Sequence, residues 1–472
     1  MKTLLIEDDP DWVETMRVGL DDAAPHSDLA VGADRDAAFG LLAAGTYDLI
    51  ICDLRIPPDD TGLEPDEVHG LAVLDRAEEV APGTRIIVLS GFGNLENVGP
   101  FLKRQGPADY FGTGRSWNMR DDFKKNEVDV LFDELAEFAS ESRELDDIEL
   151  TGAVVSDLEP EEVRVIRGFA RRYDGQTVAV ESLNEGRSSA RTLRVEVRNR
   201  RGALSHLSVA KLDSIDAVRD ECMRYERRIQ PLLPVGAYTD LAREVTVGAG
   251  ARAGCFYKLL EGYDDSLFSV LRADPDRAAA VVESLKGNLS RWSENAVAVT
   301  WTLETIRREH APDDVLTHRA LAGLPLSREE TRSVAINLGT GHCDAHGGNV
   351  LVDGSGHPMP IDYARASETS VVFDPVTLEL AAVCHPDALA GPGWPTDDQW
   401  SSWFDLETFV ASSPIEAYVR ACRRWANDVK RGDRELLSCA YTYMLRQSQY
   451  GHVPDTVLTA AVGGVVGELA SR

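Results

Sequence analysis

The 472-residue chain has little lysine: 8 of its 49 basic residues are Lys and the rest Arg. Positive charge of either kind is outnumbered, since 79 acids leave a net charge of −30. That balance excludes sequence-independent binding to nucleic acid backbones or to an anionic membrane surface. A DNA-binding regulator is also excluded by the lack of a basic helix-turn-helix pattern. Seven cysteines, with no Cys-x-x-Cys pair, read as free thiols in a reducing cytosol. Long apolar runs are missing too. The longest near-apolar stretch, Leu458–Ala470, falls short of the ~20 residues a membrane span needs. No charged, apolar, cleavable segment opens the chain. The expectation is a soluble cytoplasmic protein of two or three domains, without nucleic acid or membrane partners.

The excess of acids is uneven. Residues 1–135 hold 28 acids against 12 Lys/Arg. Strand and helix signals alternate there. Strands are expected at Thr3–Ile6, Leu29–Gly32, Leu49–Leu54, Arg85–Leu89 and Asp109–Phe111. Helices are expected at Asp11–Leu20, Asp36–Ala44, His69–Val80, Asn97–Gln105 and Asp121–Phe138. Five such units predict an α/β fold with a doubly wound, five-stranded parallel sheet. Its sites lie at the carboxyl ends of the strands. Those ends carry Glu7, Asp8 and Asp9, then Asp53, then Ser90. Several carboxylates on one rim repel unless a cation sits among them, and oxygen ligands suit Mg²⁺. A metal-flanked Asp can attack a phosphoryl donor. The alternative is a solvated acidic rim in a very acidic protein.

The second chemical stretch is Gly341–Asp353, GHCDAHGGNVLVD, followed by the short apolar strand Met359–Tyr363. An acid, Asp344, followed five residues later by Asn349 and then by Asp362 suits phosphoryl transfer. The first carboxylate accepts a hydroxyl proton, while the Asn oxygen and the second carboxylate hold Mg²⁺. A polar loop between two strands, with His342 and His346 merely hydrogen-bonded, is the plain alternative. Upstream, Thr177–Leu183 and Thr192–Val197 read as strands around a turn containing Gly186, Ser188 and Ser189. Such a turn can cover phosphates through its backbone N–H groups, or be an ordinary hairpin. Strand Leu207–Leu212 carries Lys211, and helix Ser214–Ile229 offers Glu221 and Glu226 as partners for it. These two lie about 140° apart around the helix, and Glu221 is preferred. Strands Glu244–Val247 and Cys255–Leu260 complete a small sheet. Helices are expected from Tyr263 on, including Asn295–His310 and Ser327–Leu338. Strands first and helices later predict a two-lobed α+β domain with its site at the lobe junction.

Two resemblances follow from these residues. Leu4–Pro10, Ile51–Pro57, Ile87–Gly91 and Ala108–Phe111 together resemble a response-regulator receiver domain. The resemblance implies Asp53 as phospho-acceptor, Glu7 and Asp8 with it as metal-binding acids, and Ser90 and Tyr110 as switch residues. It implies a sensor histidine kinase or a small phosphodonor as partner. It also departs from the family: on this alignment Thr113 stands where a Lys should end the fifth strand, and a hydroxyl cannot pair with an aspartyl phosphate. His342–Val352 with Ile361-Asp362-Tyr363 resembles the catalytic and metal segments of aminoglycoside and choline phosphotransferases, which share the protein-kinase-like fold. This implies Asp344 as catalytic base, Asn349 and Asp362 as Mg²⁺ ligands, and Lys211 held by Glu221 on the phosphates of ATP. The Gly186–Ala190 turn would cover the nucleotide. Cys343 replaces the Gly usual before the catalytic Asp, and Gly347 sits where Pro is common.

The expected organisation is a receiver over 1–138, a helical linker over 139–175, an N-lobe over 176–262 and a helical C-lobe over 263–472. The receiver would regulate an ATP:Mg²⁺-dependent phosphotransferase acting on a small-molecule or protein hydroxyl. The alternative is a catalytically silent, nucleotide-binding scaffold that recruits partners on phosphorylation. Helix Asp121–Phe138 could be core or a homodimer face.

Overall fold

A computed structural model of the chain describes residues 1–61, 64–91, 98–183, 190–387 and 393–472. It divides into two compact units, 1–219 with 241–258, and 220–240 with 259–472.

The first unit opens with β1 (Lys2–Ile6), α1 (Pro10–Ala23), β2 (Asp28–Gly32), α2 (Arg35–Ala44), β3 (Leu49–Asp53), α3 (Glu67–Val80) and β4 (Arg85–Ser90). A short α4 (Gly99–Leu102), β5 (Arg120–Lys124) and α5 (Val128–Asp146) follow. The five strands are all parallel in the order β2-β1-β3-β4-β5. This is the doubly wound, flavodoxin-like order. The two-residue period of the central strands sorts their side chains onto two faces. Leu4, Ile6, Ile50, Cys52, Ile86 and Val88 pack with Leu42, Val73 and Leu74 of α2 and α3. Leu5, Leu49, Ile51, Ile87 and Leu89 pack with Met16, Leu20, Leu131 and Leu135 of α1 and α5. Strands covered on both faces must read as continuous apolar runs, as β1, β3 and β4 do.

The fifth strand is not Asp109–Phe111. That tract forms no ladder, and among the described residues its neighbourhood holds only the isolated bridge Ala108↔Trp117. Arg-Asp-Asp-Phe-Lys, 120–124, takes the place instead, pairing with β4 from Ile86↔Arg120 to Ser90↔Lys124. As an edge strand it is only partly covered, so it needs no apolar run and shows none. Accordingly the helix expected from Asp121 begins at Val128. Its Leu131, Leu135, Phe138 and Leu145 are buried in the core.

The rest of this unit is β6 (Glu149–Thr151), α6 (Pro160–Arg171), β7 (Gly175–Ser182), β8 (Arg191–Asn199), β9 (Leu204–Ser214), β10 (Leu241–Val245) and β11 (Arg252–Lys258). They form a second sheet in the order β10-β11-β9-β8-β7-β6, antiparallel except for β6 on β7. Helix α6 starts with Pro160 and a reciprocal Glu159–Glu162 capping box.

In the second unit the expected helices at Asn295–His310 and Ser327–Leu338 are each part strand. Val297–Thr302 and Ser333–Gly341 pair antiparallel, and Ser367–Ser370 joins them. The Val-Ala-Val-Thr-Trp-Thr stretch is β-branched and aromatic, which favours strand over its helical spacing. Short strands Asp265–Ser266, Val350–Val352 and Pro358–Pro360 form a separate sheet. Helices Phe373–Cys384, Glu416–Val429, Asp433–Gln447 and Asp455–Ser471 supply most of the remainder. Phe373–Cys384 and Asp433–Gln447 are buried almost all round, as central helices must be.

Candidate functional site

In the five-stranded sheet the strand order reverses at β1 and β3, and the crevice beyond their carboxyl ends is where ligands of such sheets bind. Glu7 follows β1, and Asp53 ends β3. Ligand atoms of Glu7, Asp8 and Asp53 all lie within 4.8 Å of one another, the one such group of His, Cys, Asp or Glu among the described residues. Ser90 ends β4 beside them in register, with Leu89 paired to Asp53. Lys125, the residue after β5, reaches across. Its Nζ is 2.7 Å from Asp53 Oδ2 and 2.7 Å from Glu7 Oε2, and stands over the Trp12 ring, 5.1 Å from the centroid. Burial pushes the Glu7 carboxyl up to about 7, against the pull of the Lys125 ammonium. Burial and the charge of Asp53 also raise Asp8. Carboxyls that resist ionisation in so small a space are relieved by a divalent cation, so the donor set fits Mg²⁺.

A lysine thus does close this rim, twelve residues beyond Thr113. Thr113 instead sits near Glu141, its Oγ1 3.3 Å from a carboxylate oxygen. Tyr110 is displaced by the same correction. It is not on the fifth strand; it is buried, donates its hydroxyl hydrogen to the Asp48 carbonyl at 2.7 Å, and packs against Phe111 and Phe138. Lys124-Lys125, two of only eight lysines, placed just before a helix, was the signal available in the sequence.

The second site is built where strand Ser333–Gly341 ends. Asp374, in the first turn of helix Phe373–Cys384, accepts the His342 N–H at 2.7 Å and the Cys343 N–H at 2.8 Å. His342 Nε2 lies 3.0 Å from the Ile361 carbonyl. Ile361 N–H in turn donates to the Asn349 carbonyl at 3.0 Å, and Asn349 Nδ2 to the Asp344 carbonyl at 3.0 Å. These bonds tie Asp344, Asn349 and Ile361, the residue before Asp362, into one connected loop. Cys343 and Asp362 both hold positive φ, 63° and 65°. This is the left-handed region a glycine would take without strain, and it costs other residues of order 1 kcal/mol or more. Gly347 is required for space: a Cβ there would come within 2.5 Å of the Phe268 ring.

One partner was not legible beforehand. Arg446, on the buried helix Asp433–Gln447, donates to Asp344 Oδ1 at 2.7 Å and to the Cys343 carbonyl at 3.1 Å. Burial alone would raise Asp344, but the Arg446 guanidinium overrides it and holds the carboxyl well below the usual range. His346 stacks 4.6 Å from His385, whose imidazole is pushed down to about 4 by burial and by that neighbour.

Lys211 is buried in mid-strand on β9, opposite Thr192 and Cys255, and Glu221 is buried on the helix Ile215–Arg224. Gly186, Ser188 and Ser189 lie outside the described residues. No helix among the described residues is long and apolar enough to cross a membrane.

Comparison with known proteins concerns the N-terminal region alone. No protein-family model matches the chain, and no curated protein matches it. The N-terminal region, about 30% of the chain, matches solved receiver domains of response regulators. The receiver domain of Francisella response regulator 1452 is 21% identical over 29% of this chain and 97% of its own, with a TM-score of 0.20. A receiver domain of a DNA-binding response regulator from Colwellia psychrerythraea is 16% identical over 30% and 98%, at 0.23. A CheY-like receiver protein from Methanospirillum hungatei is 17% identical over 30% and 97%, also at 0.23.

Proposed function

We propose that this chain is a two-component signalling protein. Asp53 accepts a phosphoryl group from a sensor histidine kinase or a small phosphodonor, and the first domain then regulates an ATP:Mg²⁺-dependent phosphotransferase centred on Asp344. One observation carries the first half: Lys125 bridges Asp53 and Glu7 inside a cluster of three carboxylates at the sheet's switch point. A carboxylate oxygen of Asp53 would attack phosphorus, and the donor's leaving group would depart in line. Glu7, Asp8 and Asp53 would hold Mg²⁺, which supplies neutralising charge for the phosphoryl oxygens. The Lys125 ammonium is free to follow one of those oxygens once Asp53 is esterified, and the Ser90 hydroxyl can donate to another.

The second half rests on the bonded loop from His342 to Asp362. Arg446 occupies Oδ1 of Asp344, so an acceptor hydroxyl would meet Oδ2 and pass its proton there. Asn349 and Asp362 would hold Mg²⁺; Lys211, with Glu221, and the turn of Gly186, Ser188 and Ser189 would hold ATP. The acceptor is a small-molecule or protein hydroxyl.

A second reading has an observation of its own. A carboxylate paired with a buried arginine is a weak base, which suits a catalytically silent scaffold that binds nucleotide and recruits partners. Turnover of Mg·ATP by the wild type and by Asp344→Asn separates the two. The transferase predicts turnover that falls at least a hundredfold in the variant. Nucleotide binding with no turnover in either protein favours the scaffold, and no nucleotide binding in any form removes both.

A further inference from the structure

The cores of the two sheets in the first unit meet at α5, which gives Leu131 and Leu135 to the five-stranded sheet and Phe138 and Leu145 to the cluster beside the second sheet. Tyr110, Phe111, Trp117 and Met119, from the segment between α4 and β5, are buried in one cluster with Phe138 of α5, Val165 and Phe169 of α6, Val178 and Val195 of the second sheet, and Phe256 of β11. Phe138 receives Tyr110, Phe111 and Trp117 at centroid distances of 5.1, 4.8 and 5.2 Å. Phe169 stacks on Phe256 at 3.8 Å.

The approach is close at the backbone as well. A Cβ on Gly112, whose φ is +76°, would fall 2.0 Å from the Gly168 carbonyl oxygen, and one on Gly248 would fall 2.8 Å from that of Tyr110. Gly83 N–H donates to the Gly250 carbonyl at 2.8 Å, and Gly248 N–H returns a bond to the Gly83 carbonyl at 2.9 Å. The Asp109–Arg243 ion pair, 2.8 Å, ties the segment to β10. Domains that move independently meet over modest, polar interfaces; a continuous apolar core of this kind cannot slide without repacking.

The segment also has a direct covalent route to the acid rim. Trp117 and Met119 lead straight into β5, and the residue after β5 is Lys125, which bonds Asp53 and Glu7. Arg85, at the start of β4, lies over both the Trp117 and Phe138 rings, 5.2 and 5.1 Å from their centroids, so the neighbouring strand touches the same cluster.

We infer that residues 106–119 form an intramolecular docking surface that transmits the charge state of Asp53 to the six-stranded sheet. Loss of the Lys125 pairing shifts β5, and Trp117 and Tyr110 repack against α6 and the β10–β11 hairpin. The first domain thus acts on its neighbour as part of one packed body, not as a module swinging on a linker. This rests on the phospho-acceptor reading of Asp53 and names the path by which that site regulates.

Amide hydrogen exchange of the full chain, with and without Mg²⁺ and beryllofluoride as a phosphoryl mimic, tests it. The expected result is a severalfold change of exchange in rim peptides (7–12, 49–56, 120–126) together with 106–119 and 241–258, all absent in Asp53→Asn. In Asp109→Asn/Arg243→Gln the rim response persists and that of 241–258 falls by at least half. A rim response with no change at 106–119 and 241–258 in the wild type overturns the inference and leaves the acceptor reading standing. If the rim itself is silent, the acceptor reading fails, and Trp117→Ala decides the path alone. Faster exchange at both the rim and 241–258 supports the shared surface; an effect on one side only overturns it.

Discussion

At the scale of single residues, charge placed beside charge decides most of what this chain can do. Lys125 makes the acid rim tolerable, and Arg446 makes Asp344 a permanent anion. Arg446 is nearly sealed from solvent, with its side chain 8% exposed against 24% for Asp344. Removing one partner of such a pair strands the other, which costs about 3 kcal/mol. Arg446→Met should therefore destabilise the second unit by roughly that amount in chemical denaturation. Arg446→Met with Asp344→Asn should recover a good part of it; a loss in the double variant equal to the sum of the two single losses would show that the pair is not coupled. His310 gives the pH dependence. It is buried, stacked 3.7 Å from Phe373 and bonded at 2.8 Å to Thr369 Oγ1, and burial pushes it down to about 3 from an ordinary 6.5. Between those values the unfolded chain binds the proton and the folded chain does not, so stability rises with pH across that window and is lost as pH falls. From pH 7 to pH 5 the wild type should lose about 2 kcal/mol that His310→Gln keeps. Equal slopes of stability against pH in the two proteins would contradict this.

Elements were legible wherever burial forced a pattern. β1, β3 and β4 are covered on both faces and read as apolar runs; α1, α2, α3 and α6 carry their caps and spacing in plain view. The miss came at β5. An edge strand of two acids, a phenylalanine and two flanking cations has no periodic signal, while Asp109–Phe111 looks like a strand and is a core loop. With the strand at 120–124, Lys125 and not Thr113 follows it, and Tyr110 lies in the core loop before it. In the second site the acids themselves were visible, as a motif must be when its members are neighbours in sequence. Asp374 and Arg446 were not, because they act from helices 30 and 102 residues further on than Asp344. The most demanding contact between elements is Gly112 on α6. Gly112→Ala would drive a methyl group into the Gly168 carbonyl at a positive φ, and should lower stability by about 3 kcal/mol. A thermal midpoint within a degree or two of the wild type would show that the segment yields there.

At the scale of the whole molecule, the division into two units cuts the chain differently from the sequence expectation. The stretch 139–175, expected as a linker, supplies Leu145, Ile148, Val165, Ile166 and Phe169 to the shared core of the first unit. The five-stranded and six-stranded sheets therefore belong to one body, while the Asp344 loop belongs to the other. On the proposed reading, the chain binds nucleotide and its affinity depends on the state of Asp53. The most direct measurement is the affinity of the full chain for Mg·ATP by titration calorimetry, with and without beryllofluoride, in the wild type and in Asp53→Asn. The expected result is binding whose dissociation constant shifts severalfold with beryllofluoride in the wild type and is unmoved by it in Asp53→Asn. No binding of Mg·ATP in any condition, or an identical shift in both proteins, would contradict it.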